Sequence, residues 1–320
     1  MKSKLPVLAA LCALFVLIFA SDRAISSAAY GLRLCWELIL PSLFPFFVIS
    51  ALLSRLDFPQ LAGEKLSPLA ARLFHVSGAG ATALLIGLTG GYPLGAAYLA
   101  ELEEQGRLSP RETERLLGFC NNSGPAFLVG AIGAGIFHST RIGLLLYTSH
   151  GLAAILAGIL LRGDEPSPEA ETVGGGAVAL PFSRALPEAV RAAVLAALNV
   201  CGFVVCFTVL TGLLDAWGVL DGLSSRLSAL TGLGLLQARA LLTGFWELGG
   251  GIGAMQGLAA SPGNLALAAV LVGWGGVSVH FQTLSALAES KAKASPHLAG
   301  RLMSAALGGA LAYGMAFLFL

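Results

Sequence analysis

Apolar residues run through this chain in blocks close to the length of a bilayer crossing, separated by short polar stretches that hold most of the charge. A helix needs about 20 apolar residues to span the hydrocarbon. Nine blocks approach that length: 5–20, 33–54, 78–100, 118–137, 142–161, 192–214, 236–260, 265–287 and 302–320. The pattern predicts an all-α, polytopic membrane protein. Two blocks are broken at their centres, one by Thr89-Gly90-Gly91-Tyr92-Pro93, the other by Glu247-Leu248-Gly249-Gly250-Gly251. Proline removes a backbone donor and clustered glycines lower helix propensity. Each block is therefore expected to be a re-entrant hairpin that enters and leaves on one side.

The basic residues favour that reading. If all nine blocks cross with the N-terminus inside, 11 Lys and Arg residues lie inside and 8 outside. If the two broken blocks are re-entrant, Arg107, Arg111, Arg115, Arg162, Arg184 and Arg191 move in while Arg141, Arg226 and Arg239 move out, giving 14 inside and 5 outside. Cytoplasmic loops accumulate Lys and Arg, so the expectation is seven crossings and two hairpins, with the N-terminus in and the C-terminus out. The apolar run 5–20 follows Lys2 and Lys4 without a clear small-residue cleavage site, and reads as an uncleaved first span. A Pro/Gly-rich polar linker, 162–186, divides the rest of the chain in two. The expected organisation is an N-terminal transmembrane helix (1–27), a first repeat (28–161), the linker, and a second repeat (187–320). In each repeat the order is span, amphipathic connection, hairpin, broken span, plain span. With three crossings per repeat, the second copy must be inverted relative to the first, an organisation found in many secondary transporters.

Composition agrees: 56% of residues are hydrophobic and 12% charged, with a mean hydropathy of +0.80. A net charge of +1 lacks the basic excess that nucleic acid requires, so no nucleic-acid partner is expected. The lipid bilayer is the expected surrounding. Cys12, Cys35, Cys120, Cys201 and Cys206 form no C-x-x-C pair and read as apolar fillers. His75, His138 and His150 show no metal-ligand spacing, and no metal or organic cofactor is expected. No G-x-S-x-G, H-E-x-x-H or Walker pattern appears, so the chain is not expected to be an enzyme.

Ser109-Pro110-Arg-Glu112 reads as a capping box that starts a helix. That helix meets Asn121-Asn122-Ser123-Gly124-Pro125 and is expected to unwind there and resume at Ala126. The second half answers with Gly275-Gly276-Val277-Ser278-Val279-His280-Phe281-Gln282. Lipid cannot satisfy freed backbone groups, so such breaks persist where protein or a polar cavity satisfies them. Half-helix ends then present partial charge to the occupant, which suits an anionic or polar solute. Glu247 is the most informative ionisable residue, because an intramembrane carboxylate is costly unless paired or functional. It is a candidate for binding a coupling proton or sodium ion. Glu37 and Asn199 read as bonds between helices.

The runs Pro41-Ser-Leu-Phe-Pro45-Phe-Phe-Val-Ile-Ser, Gly87-Leu-Thr-Gly-Gly-Tyr-Pro-Leu-Gly95, Phe119-Cys-Asn-Asn-Ser-Gly-Pro125 and Gly275-Gly-Val-Ser-Val-His-Phe-Gln282 resemble the YlbJ (SpoVV) sporulation integral membrane proteins, which carry the nucleoside recognition or Gate domain. The likeness covers nearly the whole chain in order and spacing. It implies a role in endospore formation, in the mother-cell-derived membrane around the forespore, as an exporter of dipicolinic acid toward the developing spore. It also implies distant similarity to concentrative nucleoside transporters. Carried over by position, the substrate-binding residues are Thr89, Gly90, Gly91, Tyr92 and Pro93 at the first tip and Asn121, Asn122 and Ser123 at the following break. In the second half they are Glu247, Gly249, Gly250 and Gly251 at the tip, then Gly276, Ser278, His280 and Gln282. The Trp246-Glu247-Leu248-Gly249 run is richer in glycine than the family pattern. Asparagine, serine and backbone donors suit a dicarboxylate and a neutral nucleoside alike, so a nucleoside-like transporter or sensor, or a non-transporting factor for spore envelope assembly, stands beside the main reading. A homo-oligomer is compatible with this shape.

Overall fold

The computed structural model describes residues 4–56, 58–163 and 179–319. Most of the linker expected over 162–186, and Lys2 of the first charged run, lie outside the described residues. The described chain is helical, with no strand. In chain order the helices are α1 (Leu5–Phe19), α2 (Ser21–Arg55), α3 (Phe58–Phe74), α4 (Gly78–Gly90), α5 (Leu94–Glu104), α6 (Pro110–Leu117), α7 (Ala126–Ile136) and α8 (Thr140–Leu160). They continue as α9 (Phe182–Ala216), α10 (Val219–Thr231), α11 (Leu235–Trp246), α12 (Leu248–Gly253), α13 (Pro262–Trp274), α14 (Gly276–Ala286) and α15 (Ser295–Phe319). In α2 the stretch Cys35–Ile39 is π-helical, as is the whole of α7.

Among the described residues, five stretches are long and apolar enough to cross a bilayer: α2, α8, α9, α13 with α14, and α15. The pair α3 and α4, counted over Leu61–Phe74 and Gly78–Gly90, reaches that length only as a unit bent by 91°, the geometry of a broken span or a re-entrant element. This corrects the expectation of seven crossings. Helix α1 has 15 residues and no buried side chain, and α7 has 11 residues. At 1.5 Å per residue neither fills the hydrocarbon unaided. Conversely, α2 starts at Ser21 rather than at residue 33, because its polar first turns Ser21-Asp22-Arg23 are helical although they break the apolar run.

Both hairpins form. Helices α4 and α5 turn back at Gly91–Pro93, where Gly91 has φ +87° and the Tyr92–Pro93 peptide is cis. Thr82 and Tyr98 hydroxyls then meet at 3.3 Å across the pair. A Cβ on Gly87 would overlap the Cys120 carbonyl, so glycine lets the hairpin lie on the backbone of the following break. Helices α11 and α12 turn at Glu247, where Gly244 and Gly251 face each other too closely for side chains. The breaks also form: α6 ends at Leu117 and helix resumes at Ala126, while Gly275 (φ +83°) separates α13 from α14.

Ser-Pro pairs start these segments. Ser109 Oγ accepts from Glu112 N at 3.2 Å, and Ser261 Oγ accepts from Asn264 N at 3.3 Å. Glu112 does not reach back to close the expected capping box. Its carboxylate accepts instead from Ser77 N at 2.7 Å, tying the start of α4 to the start of α6.

Two helix pairings hold the whole together. Helix α2 runs antiparallel to α9: Arg55 O accepts from Leu180 N, Arg55 pairs with Glu188 at 3.8 Å, and Gly31 lies on Val205 and Thr208. Helix α15 lies antiparallel on α13 through small residues, Gly273 against Ala305 and Gly309 against Val270, the close approach that drives helix association in lipid. At one end the loops meet: Glu103 accepts from Lys291 N and Glu114 from Lys293 N, and Gly163 O contacts His75 Nδ1. Arg55, Arg111, Arg115, Lys291 and Lys293 are thereby gathered near one end of the bundle.

Candidate functional site

The two long helices α2 and α9 carry a cavity near each end and a small one between. The first, about 380 Å³, is lined by Ser26, Tyr30, Thr208, Asp215, Arg239 and Glu247. The second, about 340 Å³, is lined by Ser50, Arg55, Pro93, Glu101, Asn199 and Ser285. Ser26 and Ser50 are 24 residues apart on one helix, roughly 36 Å. Between them Gly91, Tyr92, Ser123, Glu247, Gly249 and Gln282 line a cavity of about 50 Å³, walled on its apolar side by Ile39, Leu43, Val200 and Val204. Hairpin α4–α5 thus faces one vestibule, hairpin α11–α12 the other, and the tips of both touch the centre.

Glu247 caps α12. Its backbone is extended (φ −141°, ψ 118°) and its carboxylate accepts from Gly249 N at 2.9 Å and Gly250 N at 2.5 Å. The residue is 4% exposed and lines both the central cavity and the first vestibule. A side chain on Gly249 or Gly250 would press on those oxygens at 3.2–3.3 Å, which explains the glycine run. In the same vestibule Arg239 is bonded to both Asp215 and Asp221.

The break after α6 is held by bonds to both halves. Asn121 Nδ2 donates to Thr283 Oγ1 at 2.8 Å and its Oδ1 accepts from Ala96 N at 3.4 Å. Asn122 Nδ2 donates to Phe119 O at 2.6 Å, and Ser123 N donates to His150 Nε2 at 3.1 Å. Asn121→Ala would leave the buried Ala96 N without an acceptor, at about 1–3 kcal/mol, and would cut the bond to Thr283 Oγ1, which keeps its own bond to Val279 O. The expected result is a lower melting temperature in detergent with unchanged membrane insertion; an unaltered melting curve would remove the assignment of this bond as a tie between halves.

Of the residues singled out in the sequence, Gly91, Tyr92, Ser123, Glu247, Gly249 and Gln282 meet at the central cavity. The others lie elsewhere. Thr89 is exposed and bonds its own helix at Leu85 O, Gly90 packs on Ser50, and Pro93 and Gly250 face the two vestibules. Asn121 and Asn122 stand behind the cavity wall. Gly251 and Gly276 serve close backbone contact with α11, Ser278 accepts from Gln282, and His280 packs on Trp274 and His297. Glu37 is exposed on α2 rather than bonded to a neighbouring helix, whereas Asn199 does accept from Ser285 at 3.4 Å.

The residue that sequence reasoning misplaced is Arg301. It falls in the loop before the last apolar block, yet α15 starts at Ser295 and puts Arg301 inside the bundle at 0% exposure. It donates to Tyr92 Oη at 2.7 Å, Asn122 Oδ1 at 3.2 Å and Ser304 Oγ at 3.3 Å. Tyr92 in turn donates to Val272 O at 2.8 Å. A buried unpaired charge costs several kcal/mol after relaxation, so this cation, which the apolar pattern leaves in a polar loop, is instead a costly interior group. Ser295-Pro296 carried the signal: the same pair opens α6 and α13.

Compared with known proteins, the chain is 30% identical over 296 residues to the sporulation integral membrane protein YlbJ of Bacillus subtilis (strain 168), covering 85% of this chain and 72% of that protein. No family model matches, and no solved structure matches.

Proposed function

The chain belongs to the YlbJ family of sporulation integral membrane proteins, and from that premise we propose that it is a secondary transporter of a small, polar or anionic aromatic solute. The observation that carries this is the placement of two vestibules at opposite ends of α2 and α9, separated by a small cavity that both hairpin tips touch. Solute pockets generally need about 300 Å³ or more, so the central cavity of about 50 Å³ corresponds to a closed state. Movement of one hairpin joins the centre to one vestibule, and movement of the other joins it to the second, which is alternating access around a fixed site.

The two halves, 28–161 and 187–320, act as inverted repeats in this reading, since both run through long span, amphipathic helix, hairpin, broken segment and closing span. Glu247 faces the centre and one vestibule and is placed to bind a coupling proton or sodium ion. Dipicolinate is the favoured solute, moved across the mother-cell-derived membrane toward the developing spore. The family and its link to sporulation support that choice.

Reconstitution of the full chain in liposomes tests the reading. Labelled dipicolinate should accumulate in protein-containing vesicles and not in empty ones, with labelled uridine as the competing solute. Uridine accumulation without dipicolinate would replace the solute. Absence of flux for both would overturn transport in favour of an envelope-assembly role.

A further inference from the structure

Arg301 has no counter-charge. Its guanidinium is fully buried, its bonds go to the neutral Tyr92, Asn122 and Ser304, its Nε has no partner, and no acidic side chain among the described residues pairs with it. Three imidazoles from α8, α14 and α15 lie within its electrostatic reach: His150, His280 and His297. Each has one buried ring nitrogen without a partner. His150 Nε2 accepts from Ser123 N, so the neutral ring carries its proton on Nδ1, a donor with nothing to receive it. His297 Nδ1 faces Leu117 O at 3.4 Å, and its ring meets that of His280 at 5.1 Å. A buried positive charge on α15 with an unpartnered Nε, and an unmet N–H donor on α8, define a region that lacks an acceptor carrying negative charge.

We infer that Arg301, with His150 and the amide of Asn122, forms an internal binding site for a small anion, of the class of a carboxylate or a halide. The chemistry is charge-assisted donation from guanidinium and imidazole N–H to an acceptor-only group. Tyr92 connects this site to the pathway, because its ring lines the central cavity while its hydroxyl accepts from Arg301. A solute carboxylate arriving in the centre competes with that hydroxyl for the guanidinium. The inference deepens the transport reading and rests on it for the identity of the solute; binding of the anion itself is separable from flux.

Asn122→Asp is the informative variant. It places a carboxylate where Asn122 Oδ1 stands, 3.2 Å from the guanidinium, and so supplies the missing charge from within at nearly constant shape, at the cost of the bond that Asn122 Nδ2 donates to Phe119 O. Melting of the purified full chain in detergent is compared at matched ionic strength with sodium dipicolinate, with sodium chloride and with neutral pyridine-2,6-dicarboxamide. The wild type should be stabilised by the dicarboxylate or by chloride and not by the diamide. A response to dicarboxylate at constant chloride assigns the site to solute, and a response to chloride alone assigns it to a resident inorganic anion. In Asn122→Asp the protein should fold, and its apparent anion affinity should fall at least tenfold. Asn122→Asp binding anion as the wild type does, or no anion response in the wild type, overturns the site. Arg301→Gln gives a second arm: if it folds and keeps the anion response, the guanidinium is a strut only. Vesicle flux is read separately, so anion binding without flux rejects transport and keeps the site, whereas unchanged dipicolinate flux in Asn122→Asp keeps transport and rejects the solute as the occupant of the site.

Discussion

Gly300→Ala should melt well below the wild type, while Gly314→Ala, the same change in the same helix, should melt at or slightly above it. At Gly300 an added Cβ would overlap the carbonyl, carbonyl carbon and Cα of Gly118, whereas at Gly314 it would meet nothing within 4 Å. Relief of overlap is cheap when a flexible side-chain end can swing away, but here both partners are backbone. Overpacking of this kind costs about 3 kcal/mol, or roughly 4–5 °C in a chain of 320 residues. At the open position alanine gains about 0.5–1 kcal/mol because glycine weakens a helix interior. The opposite signs make the comparison informative. Equal melting curves for the two variants would mean that α15 does not lie against the break after α6, and the placement of Arg301 beside Asn122 would go with it.

The second large effect is expected at Glu247. Alanine removes both acceptors from the α12 N-terminus; cap loss costs about 1 kcal/mol, up to 2, and two backbone N–H groups are left without partners next to the central cavity. Glutamine keeps one acceptor oxygen and the shape but gives up the charge. If the carboxylate carries a coupling ion, Glu247→Gln, which loses one of the two cap bonds, should insert and melt between the wild type and Glu247→Ala yet lose at least tenfold in vesicle uptake, and its residual uptake should no longer respond to a proton or sodium gradient. Glu247→Ala should lose uptake and thermal stability together. Wild-type uptake by Glu247→Gln would reduce the residue to a helix cap.

Much of the fold was legible because its signals are local. Glycine and proline clusters at 89–93 and 247–251 announced the two turns, and Asn121–Pro125 announced the gap between α6 and α7. The limits of α2 were not legible from hydropathy, since Ser21-Asp22-Arg23 continues a helix that the apolar run does not reach. Nor was the sorting of the glycines. Gly249 lines the cavity and Gly251, two residues on, packs against Gly244; the local sequence is the same and the neighbours differ. Arg301 and its bonds to Tyr92 and Asn122 join positions about 180 to 210 residues apart, and no periodicity records such a meeting.

The five π-helical residues Cys35–Ile39 sit between the two ends of α2 that line the vestibules. One residue more per turn advances everything beyond it by roughly 100° about the axis, the angle a single α-helical residue subtends. Ser26 and Tyr30 on one side, and Ser50 and Arg55 on the other, are thereby aimed along different azimuths of a single rod. The widened turn lets one continuous helix serve both chambers.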